Sequence, residues 1–498
     1  MVYDPGVQRA LALGVLLVAG CAPPGEDQGR PLEIVVPQEI STLDPRFSTR
    51  AYDVKTTRLV HAGLIGLDPT SLAPVPLAAK SWRFADERTL ELELRPGLRF
   101  HGGTSLSPAD VCATLDAVSD PKLGSPHRAV VKAIGSCTPS GTSGVRITLR
   151  SARATLLTDL ELPILRADQA RSAPHPLGGL DGLGPYRIAR ASPSAVELEP
   201  ADTGVLPRPA HAVVVRSIRD ENARALRLLA GRADVAPNAL SPALLPTLEG
   251  RSGLAVRAER GANVSYLLFQ NERPPFDRPE VRRAVARAID RDQIVRTLFA
   301  GRAQRARWLL PEGHWAAPAG AASEPYDPEA ARALLSRLPP VTLVTSTDRL
   351  RVTVARAIAQ MLGDAGLLVR VVSLDFGVLL ARLDAGDFEM ATLQMPELTE
   401  PNVLAWFFHP RGVPGEGGEG KNRARYRDAE VGRWLDAAGA TRDAKERGAL
   451  YALVAERMQR DLPVLPLWHE DQVAVVSERA AGFGLSAEGR WLSIAKLP

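Results

Sequence analysis

The sequence predicts an α/β protein of two or three domains, one of them a smaller α+β block, and three stretches carry that reading. Val213-Val214-Val215-Arg216 is followed by a helix bearing Ala223, Leu226, Leu229 and Ala230, then by Gly231 and a strand at Val235. Strand, helix, strand at this spacing is a parallel βαβ unit. Residues 263–301 (NVSYLLFQNERPPFDRPEVRRAVARAIDRDQIVRTLFAG) read as a buried strand Val264–Phe269, stopped by Pro274-Pro275, then two short helices. Asp277 and Glu280 have the spacing of a capping box, and Val281, Ala284, Val285, Ala288 and Ile289 form one apolar helix face. Leu90, Leu92 and Leu94 alternate with Glu91, Glu93 and Arg95, a half-buried strand by its period of two. That strand belongs to a block over about 52–176, and a chain of 498 residues has the length for a sizeable core in each unit.

From the start, residues 10–19 (ALALGVLLVA) are apolar, follow Arg9 and precede Gly20-Cys21. That run is too short for a bilayer core of about 30 Å but suits the apolar region of a secretion signal. Val18-Ala19-Gly20-Cys21 looks like a lipobox, in which small residues admit a signal peptidase and Cys21 becomes a lipidated N-terminus. The expectation is a signal peptide over 1–20, a tether over 21–30, and a mature protein lipid-anchored to a membrane in the periplasm or at the envelope exterior. Outside the cytoplasm Cys112 and Cys137 are either a disulfide or two separate buried thiols.

Further along, 31–36 reads as the first strand and 59–65 as helical. Ser107-Pro108-Ala109-Asp110 opens a helix with Ser at the cap and Pro at the first helical position. Strands follow at 145–149, 184–188 and 196–199. Asp290 with Gln293, and Asp327-Pro328, start helices. Strands at 341–344, 369–372 and 388–393 alternate with helices over 355–365 and 376–383, and Val431, Leu435 and Ala438 mark another helix. Residues 462–468 (LPVLPLW) read as an edge strand or an extended crossover because of their prolines.

The chemistry that is missing narrows the function. The 61 basic and 57 acidic residues are mixed along the chain, with no basic run interleaved with aromatics, so a nucleic-acid partner is not expected. There is no G-x-S-x-G nucleophile elbow. His469-Glu470 begins a zinc-protease motif, but Val473 stands where the second ligand would be. Residues 415–421 (GEGGEGK) imitate a phosphate loop, yet Asn422 replaces the magnesium-binding hydroxyl and Glu416 and Glu419 would repel phosphate; a mobile surface loop is the better reading. The expectation is no enzyme, no metal site and no cofactor.

A series of motifs in fixed order then resembles the peptide-type (family 5) solute-binding proteins of ABC importers. Thr42-Leu43-Asp44-Pro45, Gly66-Leu67-Asp68-Pro69, Leu77-Ala78-Ala79-Lys80-Ser81-Trp82 and 94–103 (LRPGLRFHGG, with Gly102 where Asp is usual) come first. Ala109-Asp110-Val111, Gly184-Pro185-Tyr186, Gly231-Arg232-Ala233-Asp234, the pattern within 263–301, and Pro466-Leu467-Trp468 follow. The resemblance implies a two-lobed periplasmic-binding-protein-like fold (type II, cluster C) with an extra small α+β domain. Lobe one would combine an α/β domain of 31–51, 177–260 and 468–498 with the small domain 52–176 attached to it, and lobe two would be an α/β domain of 261–467. It further implies a monomer that captures a peptide or similar amine-bearing solute between the lobes and delivers it to permease subunits with their ATPase. The same fold also hosts nickel-chelate, heme, opine and sugar binders, and non-transport sensors or chaperones.

The resemblance also implies site residues. Family members hold the peptide α-ammonium with an acid in a G-W-x-x-D-x-x-DP pattern, which here becomes 393–401 (LQMPELTEP). Glu397 stands at the acid and Gln394 at the tryptophan, with Met395 beside it. Dipeptide binders clamp the carboxylate with an Arg; Thr345 occupies that place, with Arg349 the candidate and Arg351 nearby. Asn271 matches an Asn near the domain crossover, and Trp406, Phe407 and Phe408 either wall the pocket or pack in the core.

Overall fold

A computed structural model describes residues 29–318, 320, 323–415 and 420–498. The signal segment, Cys21, and Glu416 and Glu419 of the glycine-rich stretch lie outside the described residues. Leu32–Val36, buried at every position, is the central strand of a seven-stranded sheet. The order is Leu254–Glu259, Gln472–Ser477, Val235–Pro237, Leu32–Val36, Val213–Ser217, Ala195–Pro200, Tyr186–Ser192. Val213–Ser217 and Val235–Pro237 are joined by the helix Glu221–Leu229 as the spacing requires. They are not neighbours, however: Leu32–Val36 slots between them, parallel to both.

A six-stranded sheet runs Ala303–Arg305, Val464–Glu470, Val264–Phe269, Met390–Met395, Val341–Ser346, Val369–Leu374. The helix Pro279–Ala288 covers it with Val281, Ala284, Val285 and Ala288, followed by Ile289, all at most 6% exposed. Burying each large aliphatic side chain there contributes about 1.5–3 kcal/mol. A four-stranded antiparallel sheet, Ala79–Phe84, Thr89–Leu94, Gly144–Leu149, Ile134–Ser140, forms the α+β block with the helix Pro108–Ser119. The chain therefore passes between the two large sheets twice, once at 260–263 and once at Asp471. The second passage lies beyond the expected boundary at 467 because Val464–Glu470 stays in the six-stranded sheet. That strand is not an edge strand either. Its Pro466 is tolerated because the pairing with Val264–Phe269 slips at Ser265/Tyr266, and because Ala303–Arg305 pairs only with Trp468, His469 and Glu470.

Two local expectations are corrected and one helix is added. No Asp277–Glu280 capping box forms; the helix starts at Pro279, which has no N–H to cap and holds Arg278 in extended backbone. The segment 59–65 is not a helix: Ala51–Val60 is helical and Ile65–Leu67 is a strand. Between them Gly63 passes so close to Glu161 that a Cβ would lie 2.5 Å from its carbonyl oxygen. The helix Ala444–Asp461, with Tyr451, Val454, Ala455 and Met458 buried, occupies a stretch to which the sequence reading assigns no element.

Several motifs prove to be joints between segments distant in sequence. Asp44 and Arg46, both buried, form a two-point ion pair (2.6 and 2.9 Å), and Arg46 also donates to Ala170 O and Ser172 O. Asp234, fully buried, accepts from Glu33 N–H (2.9 Å), Ser477 Oγ (2.8 Å) and Arg30 (2.8 Å), tying three strands together. At Gly102 the backbone meets a distant carboxylate: Asp181 Oδ1 accepts from Gly102 N–H at 2.9 Å, and a Cβ on Gly102 would meet Asp181 Oδ2 at 2.7 Å. Cys112 and Cys137 are bonded, with Cα atoms 5.1 Å apart, fastening the helix Pro108–Ser119 to the edge strand Ile134–Ser140. Replacing both cysteines by serine should lower the stability of this block by about 2–4 kcal/mol. Its chemical unfolding, compared with and without reductant, should respond to reductant in the wild type only.

Candidate functional site

The two strands of chain that pass between the large sheets run side by side, and one side chain fastens them. Asn263 Nδ2 donates to Glu470 O (2.7 Å), and Glu470 N–H donates to Asn263 Oδ1 (2.8 Å). His469, buried and with its pKa lowered by that burial, donates from Nδ1 to Asn263 O. A Cβ on Gly261 would collide with Glu470 O and Asn263 Nδ2, so only glycine admits this approach. Between them Ala262 holds a loop from each lobe. Its N–H donates to Ala487 O (2.7 Å), and its carbonyl accepts from Leu398 N–H (2.8 Å).

Above this root lies a cleft of about 760 Å³ with walls from both lobes; further cavities measure about 190 to 320 Å³. Lobe one contributes Tyr52 and Lys55 from the helix Ala51–Val60, together with Asn238, Gln472 and Glu488. Lobe two contributes Asp348 and Arg351 at the start of the helix Arg349–Asp364, Gln394 and Glu397, and Glu470 beside the hinge.

Most of the charges here are already committed. Arg351 Nη1 donates to Glu470 Oε1 (2.6 Å) and Ser265 Oγ (3.1 Å), and its Nη2 donates to Glu470 Oε2 (3.2 Å) and Gln394 Oε1 (3.0 Å). Glu488 is buried, which raises its pKa, while Arg490, whose Nε lies 2.8 Å from Glu488 Oε1, opposes that rise. Tyr52 donates to Asn238 O (3.1 Å), and burial pushes its phenol up to about 12. Glu397 and Lys55 are different. Among the described residues neither makes a hydrogen bond or an ion pair within 4.0 Å, and both line the cleft. Burial lowers the Lys55 pKa, and the carboxylates of Glu397 and Glu488 act against it.

Of the binding candidates named from sequence, Glu397 and Gln394 line the cleft, as does Arg351, named beside Arg349; Met395, Arg349, Asn271 and Trp406 do not. Met395 is 3% exposed and packs into the lobe-two core, because Met395 and Leu398 are buried on either side of Pro396-Glu397 and so lift that pair outward. Arg349 is exposed at the first helical position, about 200° around the helix from Arg351, which faces the cleft. Trp406 is 48% exposed and outside the cleft, and Phe408 is core. Asn271 stands at the end of Val264–Phe269 remote from the hinge, about 26 Å along the strand from Asn263. Its amide donates to Phe269 O, Ala424 O and Pro463 O, all within lobe two. The crossover asparagine is Asn263. Sequence reasoning missed Lys55, Glu488, Asn263 and Glu470, the last dismissed with its broken zinc motif. Lys55 carries no local signal, since a Lys on an amphipathic helix looks like any solvated position.

A cleft between two α/β lobes joined by paired crossing strands, walled by polar side chains from both, is the architecture of a hinged solute-binding protein. Residues 73–414 match the family described as "Bacterial extracellular solute-binding proteins, family 5 Middle", and the chain belongs to that family, the extracytoplasmic solute-binding components of ABC importers. It is 26% identical to the glutathione-binding protein GsiB of Escherichia coli O157:H7, over 95% of each chain. Its fold is similar to that of NikZ from Campylobacter jejuni in complex with Ni(L-His) (TM-score 0.78, 22% identity, covering 93% of this chain and 98% of that one). It is similar, too, to that of the periplasmic binding protein DppA from Helicobacter pylori in complex with the peptide STSA (TM-score 0.75, 22% identity, 94% and 98%). No helix of the described residues is long and apolar enough to cross a membrane.

The contrast between the two asparagines is testable. Asn271→Ala removes hydrogen bonds to three backbone carbonyls and should cost about 1–3 kcal/mol of stability without altering ligand affinity. Gly261→Ala should push the crossing strands apart, read as a lower melting temperature together with a changed ratio of open to closed forms in small-angle scattering.

Proposed function

We propose that this protein captures a peptide or similar amine-bearing solute between its lobes and hands it to the permease as a lipid-anchored monomer, the anchor being carried by Cys21. The observation that carries the ligand class is Glu397: a carboxylate on the lobe-two wall, with no partner among the described residues, beside the hinge. A carboxylate enclosed when the lobes close requires a cation, and a ligand ammonium meets that need. The two similar proteins whose names or bound ligands are peptidic, the glutathione-binding protein and the DppA–STSA complex, support the same class. Gln394 is held by Arg351, so the aromatic wall that the family pattern places there is replaced by a polar one. That replacement favours a ligand with polar groups near its amino end.

The mechanism involves no covalent step. Open lobes admit the solute, closure about 260–263 and Asp471 buries it, and the closed surface is what the permease reads. Native mass spectrometry of protein purified from its own host identifies the co-purifying solute; a ligand without an amine overturns the role given to Glu397. Glu397→Gln keeps the shape of the side chain and removes its charge. Peptide affinity by titration calorimetry should then fall by about 1.5–3 kcal/mol, roughly tenfold to hundredfold. An unchanged affinity places the ammonium elsewhere. Cys21→Ser should move the protein from the membrane fraction to the soluble one.

A further inference from the structure

We infer that Lys55 is the anion-recognising residue of the cleft, so that the ligand is a zwitterion whose ammonium meets Glu397 on one lobe and whose carboxylate meets Lys55 on the other. This rests on the peptide reading above and adds to it the second charge and the lobe that supplies its partner.

The inference follows from the cations that the cleft presents. Thr345 is fully buried, and its hydroxyl accepts from Thr392 Oγ1 at 2.7 Å. Arg349 points to solvent. Arg351 is consumed by Glu470, Ser265 and Gln394. Arg224 donates to the carbonyls of Ala239, Ile218 and Arg219, and Arg302 is paired with Glu249. Lys55 is what remains: among the described residues lining the cleft, it is the cation with no hydrogen bond and no ion pair within 4.0 Å.

Its position is also built. Gly489 has φ +72°, and a Cβ there would stand 2.9 Å from Lys55 Nζ and 2.5 Å from Gln472 Oε1, so the ammonium rests over bare backbone. The loop that carries Gly489 and the loop that carries Glu397 hang from opposite sides of one residue, Ala262, through Ala487 O and Leu398 N–H. Lys55 and Glu397 thus face each other at the root of the cleft from different lobes, close enough for Glu397 to favour the charged ammonium. Glu488 faces Lys55 as well, but Arg490 already holds it.

Opposite charges on opposite lobes make closure selective. A ligand with both ends charged satisfies both walls at once. One with a blocked end leaves a charge enclosed without a partner, which is costly in a desolvated site.

The test uses a mixed-sequence tripeptide library in four forms: free, N-acetylated, C-amidated and blocked at both ends. Retention on the full-length protein is read by native mass spectrometry, and affinities of the retained members by calorimetry. The wild type should bind free peptides at least tenfold more tightly than their amides. Lys55→Met should bind acid and amide alike, while Lys55→Arg should keep the preference; melting temperatures report whether each variant is folded. Equal binding of acid and amide by the wild type, a measurement that needs no variant, overturns the assignment, as does a preference that survives in Lys55→Met. The N-acetyl arm reads Glu397 separately: insensitivity to acetylation refutes the ammonium role alone. Failure to retain any form refutes the peptide reading and this assignment together.

Discussion

Everything in this molecule that moves or binds depends on the way two strands of chain cross between the lobes. The side-chain amide of Asn263 pairs with the backbone of Glu470 as another strand would, and Gly261 lets the second crossing come near enough for that to happen. The carboxylate of Glu470 then reaches into the cleft and fixes Arg351, while its backbone stays in the hinge. One residue therefore belongs to the joint and to the wall of the site. Rotation of the lobes cannot be separated from the arrangement of charges at the base of the cleft.

The scaffold was readable in the sequence because its signals are local or recur in fixed order. Val264–Phe269 is a mostly apolar and aromatic run followed by Pro274-Pro275, and the apolar face of Pro279–Ala288 follows helical spacing. The motifs Asp44-Pro45 and Gly231-Arg232-Ala233-Asp234 were recognisable as text, although their purpose was not. Both aspartates turn out to be buried joints: Asp44 holds Arg46 two residues on and accepts from His175 N–H 131 positions away, and Asp234 accepts from Ser477 243 positions away. Where expectation failed, a tertiary contact prevailed over a local pattern. The helix foreseen at 59–65 is cut short by the passage of Gly63 against Glu161, and the segment expected at an edge lies inside a sheet because its prolines fall where pairing lapses.

The site was legible only in part, and for a physical reason. Glu397 could be placed by its neighbours in sequence, since Pro396 and Pro401 frame it. Arg351 could not be told from Arg349, because which of two nearby residues faces a cleft depends on the rotation of their helix. Lys55 was invisible: what sets it apart is that it makes no hydrogen bond or ion pair within 4.0 Å among the described residues, a property of the surrounding surface and of no single stretch of sequence. Asn271 and Asn263 show the same difficulty in reverse. One resembles a hinge residue in its sequence context, and the other is one through a contact 207 residues away.

Ala262 gives the site a property that its charged residues cannot. It ties the Glu397 loop to the Glu488-Gly489 loop through its own N–H and C=O, groups that every residue except proline carries. The spacing between the two walls is thus set by main chain and is indifferent to the side chains mounted on it. In descent this amounts to a separation of frame from address. On the proposed reading of the cleft, exchanges at 55, 394 and 397 redirect such a protein to a new cargo while the gap that cargo must span stays the same.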